Sequence, residues 1–335
     1  MMKFIAAALM LSAAAPAFAQ GAPTCDAQDE FAIVIHGGTS SGEARPDRIA
    51  FMEAMLAERR AELAAGARAL DVVEAAVVAM EDSALFNAGR AAITNAQGFV
   101  ETDASIMDGR DLDAGAVASQ LRLRNPIRAA RLVMEHTRHV SMVGDRGEAA
   151  VVALGAETVD PDRYFTRVAP TGEPKGEPPE EIKEHGTVGA AVLDRCGDLA
   201  AGTSTGGYDS KIPGRVGDSP VIGAGVYAKN GVMAGSATGH GEYFIRHTAL
   251  RTIAARMEYG GMDLADAARA TVAEMDAAGE GRDGRGGVVV LDADGHVAFP
   301  HTTAGMFHGH ASDSQAPRAA MTGDHLNGDH VGGGE

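Results

Sequence analysis

The stretch HGTVGAAVLDRCGDLAAGTSTGG, residues 185–207, decides how the chain is read. A Gly186-Thr187 pair there opens an apolar β run that follows a charged, Pro-rich segment. A threonine in mid-chain is a poor nucleophile, because its hydroxyl needs a base and HGTVG supplies none. A cut before Thr187 would change that. The new α-amine, with a reference pKa of about 7.7–8, lies within reach of its own hydroxyl, so one residue would hold both nucleophile and base. Taken alone, a Gly-Thr pair reads as the start of a buried strand. The motifs around it decide between the two readings.

Working outward, HGTVGAAVLD is followed by GTSTGG, GRVGDSP and GSATGHGE, and preceded by IVIHGG, LFNAGR, ETDASIMDG and RNPIRAARLVME. This ordered set resembles the plant-type L-asparaginase and isoaspartyl aminopeptidase family of N-terminal nucleophile hydrolases, over residues 31–307. The resemblance implies an α+β fold, a four-layer αββα sandwich. It also implies a precursor that cuts itself at Gly186–Thr187 into an α chain (20–186) and a β chain (187–335). The expected assembly is a dimer of cleaved α–β heterodimers. Gly rather than Asp before the nucleophile points to the asparaginase and isoaspartyl peptidase branch, with a glycosylasparaginase as the alternative.

The resemblance also distributes the chemistry. Thr187 would be the nucleophile, and Thr205 the hydroxyl that orients it. Thr238 and Gly239 would form the oxyanion site. In GRVGDSP, Arg215 can grip a carboxylate through its planar fork and Asp218 can pair with an ammonium, with Val216 and Gly217 between them. His240, Gly241 and Asn87 complete the expected substrate contacts. Among the twelve histidines, His240 is also the competing candidate for the base. In the family the loop around Asn87 lies near the active site and its carbonyls can hold a sodium ion. Here the backbones of Met80, Glu81, Ser83, Phe86, Ala88 and Arg90 would be the ligands, with no side-chain metal site and no other cofactor. FPHTTAGMFHG departs from the Phe-Asn-Thr usual in the family at that point, which leaves leaving-group preference open.

Composition bounds the alternatives. With 335 residues, 45% of them hydrophobic, the chain can build a sizeable core, and a net charge of −17 disfavours nucleic acid and anionic membranes as partners. A small molecule or a dipeptide suits it better. Residues 1–19 carry one Lys, a short apolar run and an Ala-Phe-Ala end, which reads as a secretory signal cleaved after Ala19. A secreted or periplasmic location follows as an expectation. Cys25 and Cys196 either pair there or stay separate thiols, and their spacing fits no zinc pattern.

Along the chain, strands are expected at 30–35 and within 188–205 and 286–299. Helices are expected at 46–65, 69–80, 125–136, 242–259 and 262–278. Residues 158–184 read as an exposed linker, and the chain from about 311 as a disordered tail. Glu101, Asp103 and Asp108 have no calcium-loop spacing and read as solvated or structural. Two other classes compete with the self-cleaving enzyme. Residues 202–206 satisfy GxSxG, but the loop-like, Pro-containing stretch behind them is not the helix that a serine-hydrolase elbow requires. An exported amino-acid-binding protein would use Arg215 and Asp218 without catalysis.

Overall fold

A computed structural model describes residues 25, 27–40, 45–167, 186–278 and 286–321. In chain order the elements are β1 (Ala32–Ser40), α1 (Pro46–Ala64), α2 (Ala69–Asp82), β2 (Thr102–Asp108), β3 (Ala114–Gln120), α3 (Pro126–His136), β4 (Ser141–Val143), α4 (Gly144–Ala153) and α5 (Pro161–Tyr164). Then follow β5 (Val188–Leu193), β6 (Leu199–Thr205), β7 (Val226–Lys229), β8 (Met233–Gly239), α6 (Gly241–His247), α7 (Ala249–Gly260), α8 (Leu264–Ala278), β9 (Gly286–Asp292), β10 (Val297–Ala298), β11 (Gly305–Ser312) and β12 (Arg318–Ala320). Eight strands form one sheet in the order β12-β11-β1-β5-β6-β2-β3-β4, and four form a second, β10-β9-β8-β7. The sheets stack face to face, with β5 on β8, β6 on β7 and β1 on β9. α1, α2 and α3 cover the outer face of the large sheet, while α7 and α8 cover the small one. This is the four-layer αββα sandwich.

The strands of the large sheet are apolar on both faces because both faces are covered. In β1, Ile33 and Ile35 join the core under the helices, whereas Ala32 and Val34 join the core between the sheets. β5 repeats the pattern: Val188, Ala190 and Val192 face the helices, Ala191 and Leu193 the second sheet. Continuing that alternation backwards aims Thr187 into the space between the sheets. In β6, Ala201 faces the same space, and so by the same period do Thr203 and Thr205. One end of the intersheet space is therefore filled with Ala, Leu and Val, and the other with Thr, Ser and His.

Several sequence expectations need correction. Residues 158–167 are packed: Thr158 bridges Leu123, and Phe165 is buried against Ala92 and Val100. Apolar Val159, Tyr164 and Phe165 give that stretch something to bury; residues 168–185, His185 among them, lie outside the described residues. Nor does the chain become a tail at 311. β11 runs the length of β1, with Ala32 opposite Ser312, and β12 closes the sheet edge with Ala319 in the core. Residues 322–335 and the leader 1–19 lie outside the described residues. The helix expected over 242–259 is two helices that meet at Thr248, whose φ of 42° breaks the run. Glu101, Asp103 and Asp108 are buried rather than solvated, and their partners make them structural. The GxSxG residues lie in and just past β6, not at a strand-to-helix turn. No helix among the described residues is long and apolar enough to cross a membrane.

Cys25 and Cys196 form a disulfide that ties the segment ahead of β1 to the β5–β6 turn, closing 171 residues of chain. Gln28 N donating to Arg195 O at 2.7 Å supports the same junction. Replacing both cysteines by serine is expected to cost the uncut chain about 2–5 kcal/mol, because a long loop regains its entropy when unfolded. Urea denaturation of uncut protein checks this, and an unmoved midpoint would show that the bridge adds nothing to the folded state.

Candidate active site

Thr187 stands immediately before an interior strand, and Val188 onward is paired to β6 on one side while β1 takes the other. Its hydroxyl donates to Thr205 Oγ1 at 3.0 Å, and Thr205 Oγ1 also accepts the Gly207 N–H at 2.9 Å. The Thr187 carbonyl accepts from His36 Nδ1 at 3.0 Å. Behind it, His36 Nε2 meets Ser236 Oγ at 2.7 Å, and Ser236 meets Thr203 Oγ1 at 2.6 Å. Burial drives the His36 pKa down to about 3, against the opposing pull of its bond to the Thr187 carbonyl. His36 is therefore neutral, donates from Nδ1, and leaves Nε2 to accept from Ser236. It fixes the backbone of Thr187 without touching its hydroxyl, so it is a positioning group and not a base.

Gly186 has to be small. A Cβ there would lie 2.8 Å from Asn87 Cβ. The carbonyl ahead of Thr187 is thus held in a narrow slot with no side chain shielding it.

Thr187, Thr205, Gly207, Tyr208, Arg215, Gly217, Asp218, Ser219 and Gly239 line one small pocket. Three buried polar atoms around it have no hydrogen-bond partner among the described residues: Thr238 Oγ1, Asp218 Oδ2 and Ser219 Oγ. Such orphaned groups cost on the order of 1–3 kcal/mol each and call for an explanation. A ligand offering an oxyanion and an ammonium would satisfy them. Burial pushes the Asp218 carboxyl up to about 7, with Arg215 opposing the shift. The side chain is thus partly protonated at neutral pH until a cation arrives.

The expected residues divide into groups. Thr187, Thr205, Arg215, Gly217, Asp218 and Gly239 come together around the cavity, with Thr238 beside Gly239. Gly241 packs behind, where an added Cβ would come within 2.6 Å of Asp218 Oδ1 and 3.0 Å of Arg215 Nη2. Val216 is not on the cavity wall. Asn87 is a framework residue: its Nδ2 donates to Gly207 O at 2.6 Å and its Oδ1 accepts from Ile93 N at 2.9 Å. His240 turns away to the rim, with Nε2 3.2 Å from Glu242 and its ring between Tyr208 and Tyr243. It does not reach Thr187 and so is not placed to be the base.

In the 80–90 turn the carbonyls of Met80, Phe86, Ala88 and Arg90 accept from Ser83, Ala88, Ala91 and Thr166. Those of Met80, Phe86 and Ala88 keep a second lone pair for a cation, whereas Arg90 O also accepts from Thr166 Oγ1 at 3.4 Å. Beneath them the Glu81 carboxyl is fully buried, accepts from Ser204 on one oxygen, and has no partner on the other. Burial raises its pKa to about 8. A cation suits this turn chemically.

Sequence reasoning missed His36, Ser236, Thr203, Tyr208, Ser219 and Lys211. The first three are single residues on separate strands, and nothing local links them. Lys211 is fully buried; its Nζ donates to Glu101 O at 2.8 Å, while Gly214 N bonds the Glu101 carboxylate at 2.9 Å. These bonds pin the loop that carries Arg215 onto the start of β2. The Lys211 ammonium, depressed by burial, is supported by the buried Asp103 charge. Lys211→Met is expected to cost about 3 kcal/mol, because it strands that carboxylate. Urea melts of the single variant and of Lys211→Met/Asp103→Asn check it: the double variant should recover part of the loss.

Known proteins match this chain in sequence. The asparaginase family model matches residues 29–321. An isoaspartyl peptidase of Escherichia coli (strain K12) is 43% identical over 304 residues, which is 84% of this chain and 94% of that one. An isoaspartyl peptidase/L-asparaginase of Danio rerio is 37% identical, covering 88% of this chain and 96% of its own. That of Homo sapiens is 36% identical, covering 84% and 94%. With its sandwich fold, a threonine at the head of an interior strand and relatives matched nearly end to end, the chain belongs to the asparaginase family of N-terminal nucleophile hydrolases.

Proposed function

We propose that the protein is a self-cleaving threonine amidohydrolase that acts on L-asparagine and β-aspartyl dipeptides. The observation that carries this is the Thr187 hydroxyl, held on Thr205 at 3.0 Å in a cavity whose walls present unpartnered polar atoms. Maturation begins when Thr187 Oγ adds to the Gly186 carbonyl carbon. The C–N bond then breaks, nitrogen takes the hydroxyl proton, and water opens the resulting ester to leave a free α-amine on Thr187. In turnover that amine removes the hydroxyl proton as Oγ attacks the side-chain amide of the substrate. Thr238 Oγ1 and the Gly239 N–H receive the developing oxyanion. The leaving amine takes the proton back, and water releases aspartate from the ester.

Arg215 and Asp218 hold the α-carboxylate and α-ammonium, which explains selection for a β-linked amide next to a free amino acid centre. The names of the relatives support both substrate types. A sodium ion on the 80–90 carbonyls, with Glu81 below, would steady the turn that carries Asn87. Export to an oxidising compartment is part of the same proposal and is supported by the disulfide, as is a dimer of cleaved heterodimers. Glycosylasparaginase activity and mere amino-acid binding are disfavoured by Gly186 and by the Thr187–Thr205 pair respectively.

The bridge alters how cleavage is seen. Cys25 lies before the cut and Cys196 after it. Purified protein is expected to run as two fragments on a reducing denaturing gel and as one full-mass band without reductant. Thr187→Ala should stay whole under both conditions. Cleaved protein should hydrolyse L-asparagine and a β-aspartyl dipeptide; failure on both, or cutting of Thr187→Ala, would sink the proposal.

Two pH dependences should separate. Since kcat needs a neutral α-amine, it should fall as pH drops below about 8. Ammonium binding needs Asp218 ionised, and its raised pKa means that affinity is lost as pH falls through about 7, so KM should rise there. His36 stays neutral throughout and contributes to neither limb. A KM flat from pH 8 to 5.5 would remove Asp218 from substrate binding.

A further inference from the structure

One edge of the Arg215 guanidinium is already occupied. Its Nε and Nη2 donate to the two Glu242 oxygens at 3.0 and 2.9 Å, and the guanidinium is stacked 4.4 Å from the centre of the Tyr208 ring. Arg215 is largely buried and Glu242 half-buried, and His240 Nε2 approaches Glu242 Oε2 at 3.2 Å. Burial raises the Glu242 carboxyl, but the Arg215 bonds outweigh it and hold the group below the usual range. Asp218 and Arg215 both lie against Gly241, and one Asp218 oxygen has no partner among the described residues. Arg215 is thus flanked by two acids, Glu242 and Asp218, with the buried Lys211 and Asp103 charges within electrostatic range.

We propose that Glu242 makes the site selective for zwitterions, so that Arg215 accepts a ligand carboxylate only when the same ligand delivers an ammonium to Asp218. The proposal rests on the reading of Arg215 and Asp218 as the two poles of substrate recognition. A simple carboxylate is left with the Nη1 edge of a guanidinium whose charge Glu242 already offsets, and it adds a further negative charge to a confined space. An α-amino acid centre adds one charge of each sign, and its ammonium satisfies the orphaned oxygen of Asp218. Glu242 either swings aside or shares Arg215, and in both cases its charge opposes the incoming carboxylate. Its role is therefore discrimination, paid in affinity. It also spares the empty enzyme a buried, uncompensated arginine. Lys211 bonds the Glu101 carbonyl and lies against Gly207, and its charge is the same with or without Glu242, so it does not mimic this effect.

The test compares cleaved wild type with cleaved Glu242→Gln, which keeps one acceptor for Arg215 and loses the charge. Two probes separate the poles: succinate has carboxylates without an α-ammonium, and 3-aminopropanamide has the ammonium and amide without the α-carboxylate. Titration calorimetry on cleaved protein should show succinate binding poorly to wild type and about tenfold more tightly to the variant, with 3-aminopropanamide moved less than about twofold. KM for L-asparagine should fall. Succinate affinity unchanged, or both probes shifted together, would reduce Glu242 to a structural buttress and overturn the proposal. Glu242→Met, also uncharged, serves if the Gln variant does not mature. Because the calorimetry needs no turnover, an enzyme inactive on both substrates would refute the proposed function while the filter is still decided by binding.

Discussion

Strand β5 is hydrogen-bonded to β1 on one side and to β6 on the other, and Thr187 is the residue that leads into it. An interior strand cannot slide without exchanging every partner it has, so the backbone at its head is as well fixed as any in the molecule. The His36 bond to the Thr187 carbonyl completes this by setting the orientation of the last unpaired peptide. Chemistry that needs a hydroxyl and an amine of one residue in a set relation depends on such rigidity.

The second consequence of that placement is the change in character along the intersheet space. Where strands are flanked by neighbours on both faces, Ala, Val and Leu fill it. Towards the head of β5 the same alternate positions carry His36, Thr203 and Ser236, with Gly189 leaving room for them. A fully satisfied polar cluster in that position holds shape without a void, whereas Thr238, Asp218 and Ser219 next to it are left unsatisfied. The boundary between satisfied and unsatisfied polar groups marks the edge of the site.

Much of the fold was legible because strand and helix periods are local. The helices at 46–64, 69–82 and 126–136 and the strands around Thr187 follow from apolar spacing and from Pro or Gly at their ends. β11 and β12 were not, since their exposed-looking histidines and serines hid a period-two set of Phe307 and Ala311 that only the length of β1 could pair. The motifs named Thr187, Thr205, Thr238, Arg215 and Asp218. They could not reveal that Asn87 spends its amide on Gly207 and Ile93, that His240 faces the rim, or that Glu242 sits in the fork of Arg215. Those are matters of which way a side chain turns, and no spacing in the chain encodes it. The disulfide was undecidable from two cysteines alone, and becomes plain once the segment ahead of β1 lies against the β5–β6 turn.

A sheet in which one product of a cut supplies β1 and β2, and the other supplies β5 and β6 between them, has no seam along which to separate. The fragments are interleaved, so dilution cannot part them and reassembly from the pieces would mean refolding the large sheet. Activation by the proposed self-cleavage would then be a unimolecular, one-way event whose rate is indifferent to protein concentration. Each molecule keeps its own clock, and the age of a population can be read from the fraction still whole.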